Sequence, residues 1–257
     1  MGKPLAGIGV LVTRPETQAR NLSELIVQAG GTPVAFPALE IRAPADPSAL
    51  QHSLGQLASF DWLIFISPTA VEQSLAWLGG AAALSAGPRL AAVGKGTLRA
   101  LARHGIANAI APEGGADSEA LLDMAPLRQV EAQRILIVRG EGGREWLAET
   151  LRQRGAEVSY AECYRRVRPD ADPAALLERW ARGEIAAVTV TSSESLDNLY
   201  AMLGANGRVL LESTPMFAIH PRIADEAGAR GVKQVVVAGP SDEALLQGLI
   251  DWFKDER

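Results

Sequence analysis

The chain repeats one pattern of residues at a nearly constant spacing of 125 positions. Arg14 follows an apolar run near the N-terminus, and Arg139 follows a similar run in the second half. Ser67 and Ser192 follow two further apolar runs and keep the same spacing. A period of this length exceeds the roughly 20–50 residues of solenoid repeats. We therefore interpret the chain as a two-fold duplication of domain-sized halves.

Each half alternates short apolar runs with amphipathic stretches. Buried strands are predicted at residues 10–13, 62–66 and 89–93, with a further strand near 109–111, and helix patterns follow them. The second half repeats this order, beginning with a strand at 135–138. Alternation of strands and helices is typical of parallel sheets covered by helices on both faces. The predicted fold class is therefore α/β, with two flavodoxin- or Rossmann-like domains.

The composition fits two globular domains in one chain. Its 257 residues suffice for two domains of ordinary size, and 47% of them are apolar, enough for two cores. No apolar run has membrane-spanning length, and the N-terminus lacks a signal-peptide pattern. Cys163 is the only cysteine, which excludes an intramolecular disulfide. These features predict a cytoplasmic protein without a membrane partner, and the net charge of −5 argues against nucleic-acid binding.

Two proline-rich segments, 42–47 and 168–173, follow the second predicted strand of each half. One interpretation cuts the chain into contiguous halves near Gln133, because duplications usually copy whole domains. In the other, the chain crosses from one domain to a second at the first segment and returns at the other. The repeat alone slightly favours the contiguous cut.

Hydroxyl side chains directly follow several predicted strands, just before a helix pattern. In open parallel sheets, ligands bind beyond the carboxyl ends of the strands, where helix N-termini offer free N–H groups and a partial positive charge. The residues concerned are Ser67, Thr69, Ser192 and Ser193. Each either caps the following helix or binds an anionic group such as a carboxylate. Their recurrence on equivalent loops favours ligand binding for the group as a whole.

Two arginines also occupy equivalent loops. Arg14 and Arg139 are candidates for bidentate hydrogen bonding to a carboxylate. The alternative for each is a salt bridge within its own loop, to Glu16 or to Glu141.

A third loop, at 94–97, reads Gly-Lys-Gly-Thr and contributes Lys95 and Thr97 as candidate ligand-binding residues. The spacing of a complete phosphate-binding loop is missing, so a nucleotide site is poorly supported. The three histidines are dispersed without metal-ligand spacing. We therefore expect neither a metal nor a cofactor.

Tyr160 and Tyr164 lie in the second predicted strand of the second half. A strand tyrosine usually packs in the core with its hydroxyl hydrogen-bonded. The alternative is a general acid that protonates a departing hydroxyl group.

Seven short segments spread over nearly the whole chain carry a family resemblance. They are VLVTRPE at 10–16, FPALEI at 36–41, FISPTAVE at 65–72, LAAVGKGT at 90–97, ILIVRG at 135–140, ECYRRV at 162–167 and TSSES at 191–195. In this order and spacing they resemble the uroporphyrinogen-III synthase family of tetrapyrrole and heme biosynthesis.

The resemblance implies two α/β domains joined by a two-stranded linker, with the ligand in the cleft between them. It reverses the preference for contiguous halves. Domain one would comprise 1–38 and 168–257, domain two 39–167, and the linkers would lie near 38–47 and 164–173.

The resemblance also implies the reaction. Hydroxymethylbilane loses its hydroxyl as water, its terminal pyrrole ring is inverted, and the macrocycle closes to uroporphyrinogen III without a cofactor or metal. The family tyrosine that assists the loss of the hydroxyl matches Tyr164, and a strand-end serine matches Ser192. A family loop with two hydroxyls matches residues 220–223, where both hydroxyls are missing and Arg222 offers a cation instead.

A rival interpretation is a non-enzymatic, two-lobed protein that binds an anionic small molecule. It predicts binding without turnover. For the synthase we expect a monomer that makes a transient contact with the preceding pathway enzyme.

Overall fold

The computed structural model describes residues 3–84, 87–115 and 117–255, in which strands and helices alternate along the chain. The strands are β1 (Gly9–Val12), β2 (Thr32–Ala35), β3 (Glu40–Arg42), β4 (Trp62–Phe65), β5 (Arg89–Ala92), β6 (Arg134–Gly140), β7 (Glu157–Val167), β8 (Ala187–Val190), β9 (Met216–Ala218) and β10 (Val235–Val237). The α-helices are α1 (Glu16–Gln28), α2 (Ser48–Gly55), α3 (Pro68–Leu78), α4 (Lys95–Arg103), α5 (Ser118–Leu122), α6 (Ala125–Arg128), α7 (Trp146–Gln153), α8 (Ala174–Ala181), α9 (Ser193–Ser213), α10 (Pro221–Ala229) and α11 (Asp242–Asp255). Two short 3-10 helices lie at Leu57–Ser59 and Ala81–Leu84.

The chain divides into two units that are not contiguous in sequence. Unit 1 contains the described residues up to Glu40 and those from Val167 onward, and unit 2 is Ile41–Arg166. The chain therefore passes between the units within β3 and at the end of β7, which are neighbours in one sheet.

Each unit is built on a five-stranded sheet. The order in unit 1 is β10-β9-β8-β1-β2, with every neighbouring pair parallel. The order in the second sheet is β3-β7-β6-β4-β5, and β7, β6, β4 and β5 run parallel. The predicted α/β class with parallel sheets is confirmed.

Four strands of each sheet have the same order once repeat-equivalent strands are matched, and the fifth strands, β10 and β3, lie at opposite edges. β1 and β2 of the first sheet correspond to β6 and β7 of the second, and β8 and β9 correspond to β4 and β5. This is the flavodoxin-like order, in which the first strand lies between the second and the third. Each sheet therefore takes two strands from one sequence repeat and the remaining strands from the other.

The central strands are buried on both faces, so their residues pack into two apolar clusters in each unit, one on each face of the sheet. In β1, Leu11 packs into one apolar cluster, while Val10 and Val12 pack into the cluster on the opposite face. In β4, Leu63 and Phe65 likewise face one cluster, and Trp62 and Ile64 face the other. Alternation of side chains across the strand produces this division.

Some predicted elements differ from the structure. The predicted strand near 109–111 is reduced to a single bridge between Ile110 and Ala91. The apolar residues after Gly31 form two short strands, β2 and β3, rather than one. Trp146, the first residue of α7, is 50% exposed although it is a large apolar residue.

A search of the described helices for a span of membrane-crossing length and hydropathy found none.

Candidate functional site

Both sheets have a topological switch point, where chain connections leave in opposite directions. It lies between β1 and β8 in unit 1 and between β6 and β4 in unit 2. Ligands of open α/β sheets bind beyond the carboxyl ends of the strands at such a point. In both units some of the candidate residues follow these strands, namely Arg14 after β1, Ser67 after β4 and Ser192 after β8.

In unit 2, Ser67 begins α3 at the end of β4. Its Oγ accepts a hydrogen bond from the Ala70 N–H at 3.0 Å, which caps the helix. The same Oγ lies 3.3 Å from the hydroxyl of Tyr164 on β7. The structure therefore brings together two predicted site residues that are 97 positions apart in the sequence.

Tyr164 is fully buried, at 0% exposure. Its ring lies against Gly140, where an added Cβ would come within 2.7 Å of the ring carbons. Arg166 approaches from the same strand, with its guanidinium nitrogen 3.4 Å from the Tyr164 hydroxyl. The hydroxyl is thus held between a guanidinium and a serine.

Arg139 lines a cavity of about 290 Å³ at the carboxyl ends of β4, β5 and β6. Other lining residues are Ile66, Val93, Gly142 and Tyr160. The Arg139 side chain is only 4% exposed. A buried guanidinium is stable only with anionic or carbonyl partners. The groups that pair with Arg139 therefore determine whether it is free to bind a ligand in this cavity.

The partners of Arg139 are two carboxylates, the Gly140 carbonyl oxygen (3.2 Å from Nε) and an aromatic ring. Its Nη1 donates to Glu145 at 3.0 Å, its Nε lies 3.7 Å from Glu162, and its guanidinium carbon lies 4.5 Å from the centre of the Tyr160 ring. The predicted alternative partner, Glu141, is wrong; the acidic residues are Glu145 and Glu162. Arg139 thus already binds carboxylates of its own chain.

Glu145 also accepts a short hydrogen bond from the Tyr160 hydroxyl. That bond, followed by the bond from Arg139, lowers the pKa of Glu145. The pKa of Tyr160 is raised, first by burial and then by its hydrogen bond to Glu145. The Glu145 carboxylate and the neutral Tyr160 hydroxyl therefore stabilise each other's protonation states.

The remaining candidates of unit 2 lie on two adjacent helix starts. Thr69 is in the first turn of α3, and Lys95 is the exposed first residue of α4. A Cβ on Gly96 would lie 3.9 Å from Pro68, so the two starts are neighbours. Thr97 is buried at 4% exposure, so Lys95 is the more accessible of the two candidates on α4.

In unit 1, Arg14 binds a carboxylate from the far end of the sequence. Its guanidinium forms a short ion pair with Asp242 at the start of α11, and Asn21 donates to the same carboxylate at 2.8 Å. The predicted alternative partner, Glu16, is wrong. Arg14 thus joins the loop after β1 to a helix formed more than 200 residues later.

Ser192 and Ser193 lie at the start of α9, beyond β8. The Ser192 Oγ accepts from the Ser195 N–H at 3.0 Å and donates to the Ser195 Oγ at 2.8 Å. The Ser193 Oγ is buried and has no hydrogen-bond partner in the described part of the chain. Unmatched buried polar atoms are uncommon, and in the described residues this one is found together with Thr150 Oγ1 and Trp252 Nε1.

Arg222 is mostly exposed and lies 3.5 Å from Glu226, one turn later in α10. Its helix is capped by His220, whose Nδ1 accepts from the Arg222 N–H at 3.2 Å. An exposed ion pair of this kind contributes little to stability and leaves the guanidinium accessible.

Within residues 3–84, 87–115 and 117–255, no group of three or more histidine, cysteine or acidic side chains is arranged to hold a metal ion. Cys163 is buried, and its burial raises the pKa of the thiol to about 12. The thiol is therefore neutral and a poor nucleophile at neutral pH.

The sequence interpretation missed Gly140, Glu145 and Arg166 as neighbours of the site. A signal for Arg166 was present, because residues two apart in a strand share a face and Tyr164 lies two positions earlier. Neither Gly140 nor Glu145 had such a signal, since their importance comes from strand pairing and loop conformation.

Comparison with known proteins shows which family the sequence matches. A family model described as uroporphyrinogen-III synthase HemD matches residues 20–247. A uroporphyrinogen-III synthase of Escherichia coli strain K12 is 32% identical over 257 residues, covering 94% of this chain and 100% of that protein. The synthase of Salmonella typhimurium strain LT2 is 33% identical over 247 residues, covering 94% and 100% respectively.

A solved structure has the same fold. It is a mutant uroporphyrinogen III synthase from the extremely thermophilic bacterium Thermus thermophilus, similar with a TM-score of 0.60 over 97% of this chain and 100% of that one. The identity is 21%, so this likeness supports the fold alone.

Proposed function

The chain belongs to the uroporphyrinogen-III synthase family, and we propose that it converts hydroxymethylbilane into uroporphyrinogen III with loss of water and inversion of the terminal pyrrole ring. The family model spans most of the chain, and the relatives are matched over their whole length. This match is the observation that carries the proposal. The chain is accordingly an enzyme of the lyase class.

The substrate presents carboxylates, and each unit offers groups that bind them. In unit 1 these are the unpartnered Ser193 hydroxyl, Ser192, the exposed Arg222 and Arg14. In unit 2 they are the starts of α3 and α4, with Ser67, Thr69, Lys95 and Thr97, and Arg139 in its cavity. Two of them, Arg14 and Arg139, already bind carboxylates of the chain, so a substrate carboxylate would have to displace Asp242 or Glu145.

Tyr164 is the residue we propose to assist the loss of the hydroxyl group. Its phenol is buried, is hydrogen-bonded to Ser67, and lies next to a cationic guanidinium. A proton supplied by a positioned acid, directly or through a neighbouring hydroxyl, accelerates such a step by about 10²–10⁴-fold. The other demand on the enzyme is to hold the bilane so that the ring inverts before closure.

Further parts of the proposal concern context. We propose that units 1 and 2 are the two domains of the family fold, that the reaction needs no cofactor, and that the enzyme acts as a cytoplasmic monomer. A transient contact with the enzyme that supplies hydroxymethylbilane would shorten the lifetime of this reactive intermediate.

The direct test is a coupled assay. Hydroxymethylbilane is generated in situ with and without the protein, and the oxidised products are separated into type I and type III isomers. We expect type III to predominate only with native protein, because unassisted closure gives the unrearranged type I isomer. Heat-denatured protein is the control. Type I alone from folded protein would instead support the two-lobed binding protein.

A further inference from the structure

Three side chains of unit 2 form a continuous line of polar contacts. The Arg166 guanidinium is 3.4 Å from the Tyr164 hydroxyl, and that hydroxyl is 3.3 Å from the Ser67 Oγ. The direction of these hydrogen bonds follows from the capacity of each group. A guanidinium is a donor only, so the phenolic oxygen accepts from Arg166. The hydroxyl proton of the fully buried Tyr164 has no acceptor other than the Ser67 Oγ among the described residues, so Tyr164 donates to Ser67.

The Ser67 Oγ then has both of its lone pairs occupied. It accepts from the Ala70 N–H at 3.0 Å and from the Tyr164 hydroxyl. A serine hydroxyl has two lone pairs and one proton. The remaining capacity of Ser67 is therefore donation, and no group in the described residues accepts its proton.

Burial decides which hydroxyl meets a ligand. Tyr164 has no exposed surface, whereas Ser67 is partly exposed at the carboxyl end of β4, beside the switch point of its sheet. A substrate that enters at this strand end reaches the serine before the tyrosine.

The equivalent place in unit 1 is built differently. Ser192 corresponds to Ser67, but its proton is donated to Ser195, which stands where unit 2 has Ala70. Leu39 corresponds to Tyr164 and carries no hydroxyl. The line of hydroxyls with a free donor at its end is therefore found in unit 2 and not at the matching position of unit 1.

We propose that Ser67 is the catalytic residue that protonates the departing hydroxyl, and that Tyr164 and Arg166 are positioning residues that act through it; this inference rests on the proposed synthase function. The Ser67 proton passes to the hydroxyl oxygen as the carbon–oxygen bond breaks and water leaves. Ser67 is reprotonated by Tyr164, and the Arg166 guanidinium compensates the phenolate charge. The proton that the rearranged pyrrole loses on regaining aromaticity returns through Ser67 to Tyr164, so the cycle closes without another reactant.

A purely structural role for Ser67 makes different predictions. Loss of the helix cap alone would lower stability, by about 0.5–2 kcal/mol, without a specific effect on turnover. The effects of the Ser67 and Tyr164 substitutions on kcat would then be independent of each other. The kinetic readout therefore has to separate turnover from folding and from substrate binding.

The test is a double-mutant cycle in the coupled assay, with kcat and KM measured for Ser67→Ala, Tyr164→Phe and the double variant. We expect each single variant to lower kcat by about 10²-fold with KM changed less than twofold. The double variant should be no slower than the slower single variant, because both changes interrupt one proton path. Ser67→Thr, which keeps the hydroxyl and the cap, should recover most of the turnover. Arg166→Gln should lower kcat by about tenfold.

Two further variants distinguish the loss of a helix cap from the loss of the catalytic hydroxyl. Ser241→Ala removes a helix-capping hydroxyl, which accepts from the Ala244 N–H at 3.1 Å, and it should lose stability while retaining turnover. If Ser67→Ala fails to fold, Ser67→Asn replaces it, since asparagine caps helices but has no hydroxyl. Full turnover in a folded Ser67→Ala or Ser67→Asn variant, or multiplicative losses in the double variant, would overturn the proposed proton path through Ser67 alone. Absence of type III product from the wild-type protein would instead refute the synthase function.

Discussion

Gly140 and Tyr164 determine each other's place in unit 2. The two residues are paired in the register of β6 and β7, just beyond an irregularity at Arg139. The tyrosine ring fills the space where any side chain at position 140 would lie. A glycine here is a requirement of close packing, since its backbone conformation does not lie in the left-handed region.

Gly140→Ala should displace the Tyr164 ring. The new Cβ would lie 2.7 Å from ring atoms that have no exposed surface into which to move. We expect a loss of about 1–3 kcal/mol in the free energy of unfolding, measured by urea denaturation, together with reduced formation of type III product. Gly228→Ala is the matched control, because a Cβ at this helical glycine meets nothing within 4 Å. A Gly140→Ala protein as stable and active as the control would show that the ring is not confined.

At the scale of elements, the loop between β6 and α7 differs between unit 2 and the equivalent position of unit 1. The equivalent loop in unit 1 is short, and α1 begins at Glu16, directly after Pro15. In unit 2 the helix begins only at Trp146, because Gly142 and Gly143 have φ angles of 72° and 110°. This conformation, incompatible with a helix, places Glu145 next to Arg139 and Tyr160.

Glu145→Gln should reduce stability at neutral pH but not in acid. A carboxyl whose pKa is lowered in the folded state stabilises the fold above its ordinary value of 4.5, and this stabilisation is lost as the pH falls through the lowered pKa. The difference in unfolding free energy between wild type and variant should therefore shrink below about pH 4.5. Urea denaturation from pH 7 to pH 3 measures it. Tyr160→Phe removes the largest cause of the lowered pKa and should weaken the same dependence. A difference independent of pH would contradict this interpretation.

Elements with strong periodicity were predictable from the sequence, and weakly determined ones were not. The buried runs at β4 and β6 and the hydroxyl caps at Ser67 and Ser192 follow from local pattern. The residues near 110 make only one bridge, because pairing at a sheet edge depends on the neighbouring strand rather than on the apolar run itself. The partners of Arg14 and Arg139 were missed for a similar reason: the tertiary fold brings in Asp242, and glycine conformations bring in Glu145.

At the scale of the whole molecule, the sequence repeat and the folded unit do not contain the same residues. One repeat, residues 1–125, contains β1 and β2 of the first sheet and β3, β4 and β5 of the second. The repeat was readable from the sequence, since it rests on residue identity at fixed spacing. The exchange of strands between repeats was not readable from the repeat, because contiguous and exchanged halves produce the same pattern.

This exchange predicts which fragments fold. A fragment of residues 41–166 is the whole of unit 2, with both faces of its sheet covered, and lacks only the end residues Glu40 of β3 and Val167 of β7. We expect it to unfold cooperatively on heating, with the near-ultraviolet circular dichroism of a buried Trp62. A fragment of residues 1–125 should remain without fixed tertiary structure, because each of its partial sheets lacks central strands. The reverse outcome would show that the repeat is the folding unit.

The interleaved chain path also orders events during synthesis. The apolar strand β1 leaves the ribosome first, but its neighbour β8 begins only at Ala187. At translation rates of about 5–20 residues per second, β1 waits on the order of ten seconds or more for that neighbour. All strands of the second sheet emerge in the interval. The sheet that begins with β1 is thus completed after the second sheet, and the nascent β1 needs protection from aggregation during that interval.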